Sequence, residues 1–152
     1  YALVHEAAHV VDYVELHTPY PERQIKIITQ TKAARTPFTE NVWMRLHTPV
    51  AAYDFPARKR ITFYGEDGGP RIGIREAPGL YERLAKTPFV SLYASMSWAE
   101  DFADFAMFYH LTQALGQPYE IRVKEASGSL RIGKPMESPL VRERFPLLRK
   151  LY

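Results

Sequence analysis

The chain has 152 residues, 46% of them apolar and 24% charged, enough apolar content to bury one sizeable core and too much for a disordered segment. A formal charge of +3 from scattered Lys and Arg residues argues against nucleic acid as a partner, and no apolar run approaches the roughly 18 residues of a membrane-spanning helix. The absence of cysteine removes disulfides and thiolate catalysis.

Residues 1–16 read as the first helix, apolar through Leu3, Val4, Ala7, Ala8, Val10, Val11, Val14 and Leu16, which predicts a helix buried in a domain. Embedded in it is His5-Glu6-Ala7-Ala8-His9, the pattern H-E-x-x-H. Positions i and i+4 of a helix lie one above the other, so both imidazoles leave one face, while Glu6 sits about 100° round, beside the metal that the pair would hold. His5 and His9 are thus candidate zinc ligands and Glu6 the candidate base. Asp12, three positions after His9, shares the ligand face and could accept a ring N–H from a metal-bound histidine, fixing its tautomer. The plainer alternative is that His5 and His9 are ordinary helix residues and Asp12 a surface charge. A chain opening at Tyr1 reads as a processed or excised catalytic fragment that has lost any signal peptide, which is compatible with a secreted or periplasmic location.

Residues 17–87 form a long middle section cut by Pro19, Pro21, Pro37, Pro49, Pro56, Pro70 and Pro78. Short strands are expected at 25–28 and 60–64, the second closed by a turn at Gly65, Gly68 and Gly69. The section reads as a surface insertion or a wall of a substrate cleft. Residues 78–84 look like a short helix leading to the segment around Tyr93.

Catalytic zinc takes three protein ligands and leaves a position open, so a third ligand has to come from farther along the chain. In the run 97–112, Trp98, Phe102, Phe105, Ala106 and Tyr109 keep helical spacing, Ser97 is a suitable N-cap, and Gly116 before Pro118 ends the helix. Glu100 and Asp104 share a face, so Glu100 can bind metal while Asp104, one turn on, orients a ligand histidine. Alternatively Glu100, Asp101 and Asp104 are simply acids that favour the positive end of the helix dipole; Asp101, elsewhere on the wheel, is read only in that way.

The stretch from Pro88 to Asp104, with Tyr93-Ala94, a short polar turn, then Glu100-Asp101-Phe102-Ala103-Asp104, resembles the third-ligand region of the anthrax lethal factor-like zinc peptidases. The resemblance covers residues 1–16 and 87–110. It implies that His5, His9 and Glu100 bind Zn2+, that Glu6 is the base, and that Tyr93, seven positions before the third ligand, supports the oxyanion. Two departures stand out: His9 and Glu100 are 91 positions apart, which implies an insertion, and Ala8 occupies a place where relatives often carry glycine.

Beyond the second motif helix, 119–124 alternates like a half-exposed strand and pairs with 130–132 through the Ser127-Gly128-Ser129 turn. Ser138-Pro139 opens a basic terminal helix to residue 148, with Arg142, Arg144, Arg149 and Lys150 on a solvated face. His110 falls about 80° off the ligand face, and His17 and His47 have no spacing partner. The whole is expected to be a single α+β domain over 1–152, mainly helical and zincin-like, with an active-site helix, a third-ligand helix and a small β component. The expected function is that of a gluzincin metallopeptidase, a hydrolase that cleaves a peptide or protein substrate through a zinc-activated water. The alternatives are a catalytically inactive zinc-binding regulatory or protein-interaction domain, and an accidental H-E-x-x-H in a structural domain.

Overall fold

A computed structural model of the chain describes residues 1–19, 36–63, 71–125 and 127–149. Among the described residues there are four α-helices and two small antiparallel sheets, an α+β arrangement. In chain order they are α1 (Ala2–Glu15), β1 (Trp43–Arg45), β2 (Thr48–Pro49), α2 (Ala77–Leu84), α3 (Trp98–Tyr109), β3 (Ile121–Lys124), β4 (Leu130–Gly133) and α4 (Pro139–Arg142). The expected strand at 25–28, the glycine turn at 65–69 and Tyr64 lie outside the described residues. No described helix is long and apolar enough to cross a membrane.

α3 is the spine of the core. Ser97 caps it by accepting the Glu100 amide at 3.2 Å, and Glu100 and Asp101 place negative charge in its first turn, where the helix dipole favours it. Trp98, Phe102, Ala103, Phe105, Ala106, Met107 and Phe108 are all buried, so the helix is apolar nearly all round and is covered on every side. After Tyr109 the helix loosens into a π-turn over His110–Ala114 and stops at Gly116, whose φ of 63° suits glycine, ahead of Pro118.

α1 lies against α3, but it is not the buried helix that its composition predicts. His5, Ala8 and Asp12 are its buried residues, whereas Leu3, Val10 and Val14 are exposed. Its inner face therefore carries the polar residues of the site. The helix ends at Leu16 in the left-handed conformation, with the Leu16 amide donating to the Asp12 carbonyl at 2.8 Å.

The described part of the middle section is built into the core through Phe38, Val42 and Trp43. The β1–β2 hairpin hands the Leu46 carbonyl to the Trp98 amide at 3.0 Å, so it braces the start of α3. Arg58, buried to 3% exposure, joins three segments by donating to the Asp54 carboxylate and to the Ser95 and His47 carbonyls, each at 2.9 Å. The strand expected at 60–64 is not formed over its described residues: Arg58–Arg60 is a 3-10 turn, and Ile61 packs with Phe55 and Leu80 in a small satellite cluster.

Near the C terminus Pro146 breaks the expected helix into α4 and a 3-10 turn at Phe145–Leu147. That break turns Arg144 inward and overturns its reading as a solvated residue. Its guanidinium forks onto Asp101 at 3.1 and 2.7 Å, donates to the Pro88 carbonyl at 3.0 Å, and lies 4.3 Å from the Phe38 ring centre and 4.8 Å from that of Phe105. Asp101, fully buried, also accepts the Trp43 indole N–H at 2.8 Å. Arg144→Ala strands this carboxylate and is expected to cost about 3–5 kcal/mol, a large share of the roughly 5–15 kcal/mol that holds a small domain together. Urea denaturation measures the loss, and Arg144→Lys, with one point charge in place of a fork, should recover only part of it.

Candidate metal centre

The helical register of α1 sets His5 and His9 one turn apart, and α3 brings Glu100 to them from its first turn. The His5 Nε2 lies 3.1 Å from Glu100 Oε2 and 3.2 Å from His9 Nε2, and His9 Nε2 lies 3.4 Å from the same Glu100 oxygen. A tetrahedral zinc ion with bonds of about 2.0–2.1 Å to N and O holds its ligand atoms roughly 3.3 Å apart. The three separations match that edge length, and the donor set of two imidazoles and a carboxylate is one that zinc takes. Ala8, small and buried between the two histidines, belongs to the same cluster as Phe102 and Ala106 of α3.

The electrostatics are those of a site built for positive charge. The hydrogen bond to Asp104, then that to Glu100, push the His5 pKa up to about 9 against the opposing effect of burial. Burial alone would raise Glu100, but hydrogen bonds from His5 and His9 overcome it and hold the carboxyl down at about 2. Protons shared among these groups are what a bound cation replaces.

Behind His5 stands Asp104. His5 Nδ1–H donates to Asp104 Oδ1 at 2.8 Å, which leaves Nε2 facing Glu100 and His9. The second oxygen, Oδ2, accepts from the Ser91 hydroxyl, and Ser91 Oγ itself accepts the Ala94 amide at 2.8 Å. Sequence reasoning gives Ser91 no role; the one signal for it is its place in the same short segment as Tyr93. The Tyr93 ring is half-buried beside His5, with centroids 5.7 Å apart, and it makes a T-shaped contact with Phe63 at 4.9 Å. Glu6 is exposed on α1, next to His5 in the chain.

Asp12 is placed differently from its expectation. Its carboxylate accepts the Thr18 amide and the Thr18 hydroxyl, both at 2.6 Å, so it secures the chain as it leaves α1 rather than a histidine ring. A short acidic side chain near a helix end meets the nearest free backbone donors first, and here those lie six residues on. Burial raises the Asp12 pKa in spite of these bonds. The other histidines stand apart from the centre: His17 stacks on Phe102, with centroids 4.8 Å apart, His47 Nδ1 is 3.1 Å from the Met96 carbonyl, and His110 lines an apolar groove with Leu3, Ala7, Val11 and Ala106.

No protein-family model, no curated protein and no solved structure matches the chain. The functional reading therefore rests on the site itself.

Proposed function

We propose that the chain is the catalytic domain of a zinc metallopeptidase of the gluzincin type, zincin-like in fold, with His5, His9 and Glu100 as the metal ligands. The observation that carries this reading is the convergence of His5 Nε2, His9 Nε2 and Glu100 Oε2 at 3.1–3.4 Å, the spacing of a tetrahedral site, on an H-E-x-x-H helix. Three protein ligands leave a position open, as hydrolysis requires.

Zinc, when bound, supplies Lewis acidity at the substrate carbonyl and lowers the pKa of a water. The residues of the chain do the rest. Glu6 takes the proton of the attacking water on its carboxylate and passes it to the leaving amine, so the same group serves as base and then as acid. Tyr93 directs its phenol O–H to the carbonyl oxygen as negative charge develops there. Asp104 holds His5 in the tautomer that keeps Nε2 free of its proton. A zinc-binding regulatory domain without turnover would need neither Glu6 nor Tyr93.

Metal content is the direct test. Purified protein is expected to carry about one zinc per chain by elemental analysis, and Glu100→Ala to lose most of it to a chelator, because two histidines alone compete poorly. Unchanged zinc in Glu100→Ala would remove Glu100 from the ligand set.

A further inference from the structure

Asp104 has two carboxylate oxygens and the metal centre uses one. The other, Oδ2, faces the Ser91 hydroxyl, and the Asp104 side chain is only 8% exposed. A serine hydroxyl has one proton to give and can accept as well. The Ala94 amide donates to Ser91 Oγ at 2.8 Å, so the hydroxyl proton is committed to Asp104 and the amide is satisfied by the same oxygen. The result is an unbroken chain from the Ala94 N–H through Ser91 and Asp104 to His5.

The segment that Ser91 closes is the one that carries Tyr93. It is anchored on both sides: the Tyr119 hydroxyl donates to the Val90 carbonyl at 3.0 Å, and Arg58 donates to the Ser95 carbonyl at 2.9 Å. Between these anchors, Ser91 ties the segment to α3 by donating to Asp104.

We propose that Ser91 is a positioning residue that makes His5 and the Tyr93 segment one rigid unit, by donating to Asp104 while accepting the Ala94 amide. This deepens the zinc-peptidase reading and rests on it. Ser91 touches neither metal nor substrate; it fixes the carboxylate that fixes His5, and it holds the turn from which Tyr93 reaches the site.

Three variants test this: Ser91→Ala, Ser91→Thr and Ser91→Ala in an Asp104→Asn background. Zinc affinity, read by competition with a chelator without substrate, should fall about 10-fold in Ser91→Ala, the lower end of what loss of a group behind a ligand costs. Turnover should fall with it at unchanged KM, and Ser91→Thr, which keeps the hydroxyl, should restore both. In the Asp104→Asn background the serine change should cost no further affinity, since the two act in series. In metal-free protein, the NMR signal of the His5 Nδ1 proton should exchange faster in Ser91→Ala than in wild type. Unchanged zinc affinity in Ser91→Ala, no rescue by threonine, or additive losses with Asp104→Asn would each overturn the proposal. If wild-type protein binds no zinc, the peptidase reading fails by itself, and the His5 proton exchange still decides for or against Ser91.

Discussion

Glu6→Gln is expected to lower peptide hydrolysis by about 10²- to 10⁴-fold, to the edge of detection, while zinc content stays at the wild-type level. The amide has the size and shape of the carboxylate but cannot accept the proton of the attacking water. It cannot return one to the leaving amine either, so both halves of the transfer fail together. Glu6 is exposed and contributes nothing to the three-atom cluster of His5, His9 and Glu100, which is why metal binding should survive the change. Elemental analysis and single-turnover hydrolysis of a peptide substrate give the two readings on one preparation. A variant that keeps both zinc and rate would show that another group serves as base. One that loses both would mean that the side chain supports the fold of α1 rather than the reaction.

What was legible in the sequence is what short-range chemistry determines. The H-E-x-x-H register specifies its own geometry, because i and i+4 must share a helix face. Ser97 as cap, the apolar spacing after it, and Gly116 before Pro118 bound α3 and its π-turn, and the Ser127-Gly128-Ser129 turn announces the β3–β4 hairpin. Pro78 at the head of α2 does the same there. Each of these signals lies within a few residues of the element it describes.

The rest depended on partners distant in sequence. Arg144 reads as a solvated charge and Asp101 as an acid that favours a helix dipole, and only the fold, which brings together residues 43 positions apart, reveals a buried fork beside the rings of Phe38 and Phe105. The strands β1 and β2 are three and two residues long, too short for alternation to show, yet Trp43 places the hairpin in the core. The spacing of Asp12 from His9 fits a ligand's partner, but Thr18, reached only after the chain turns at Leu16, competes for the carboxylate and wins. The apolar residues of α1 predict a helix buried in the domain, yet Leu3, Val10 and Val14 stand outside, and the buried residues are His5, Ala8 and Asp12.

Tyr93→Phe separates a residue of the reaction from one of the core. The substitution keeps the ring, so the contacts with His5 at 5.7 Å and Phe63 at 4.9 Å persist, and only the hydroxyl is lost. If that hydroxyl meets the developing oxyanion, the interaction exists in the transition state and hardly at all before it. Turnover should then fall by roughly 10²-fold or more with KM little changed. Zinc content and melting temperature should not move, since the phenol is not among the ligand atoms and the half-buried ring packs as before. Packing alone predicts the reverse pattern: near-wild-type turnover in Tyr93→Phe, and damage only when the ring is cut away, as in Tyr93→Ala, which would lower the melting temperature along with the rate. Wild-type turnover in Tyr93→Phe removes the residue from the oxyanion role and leaves the developing charge to the metal alone.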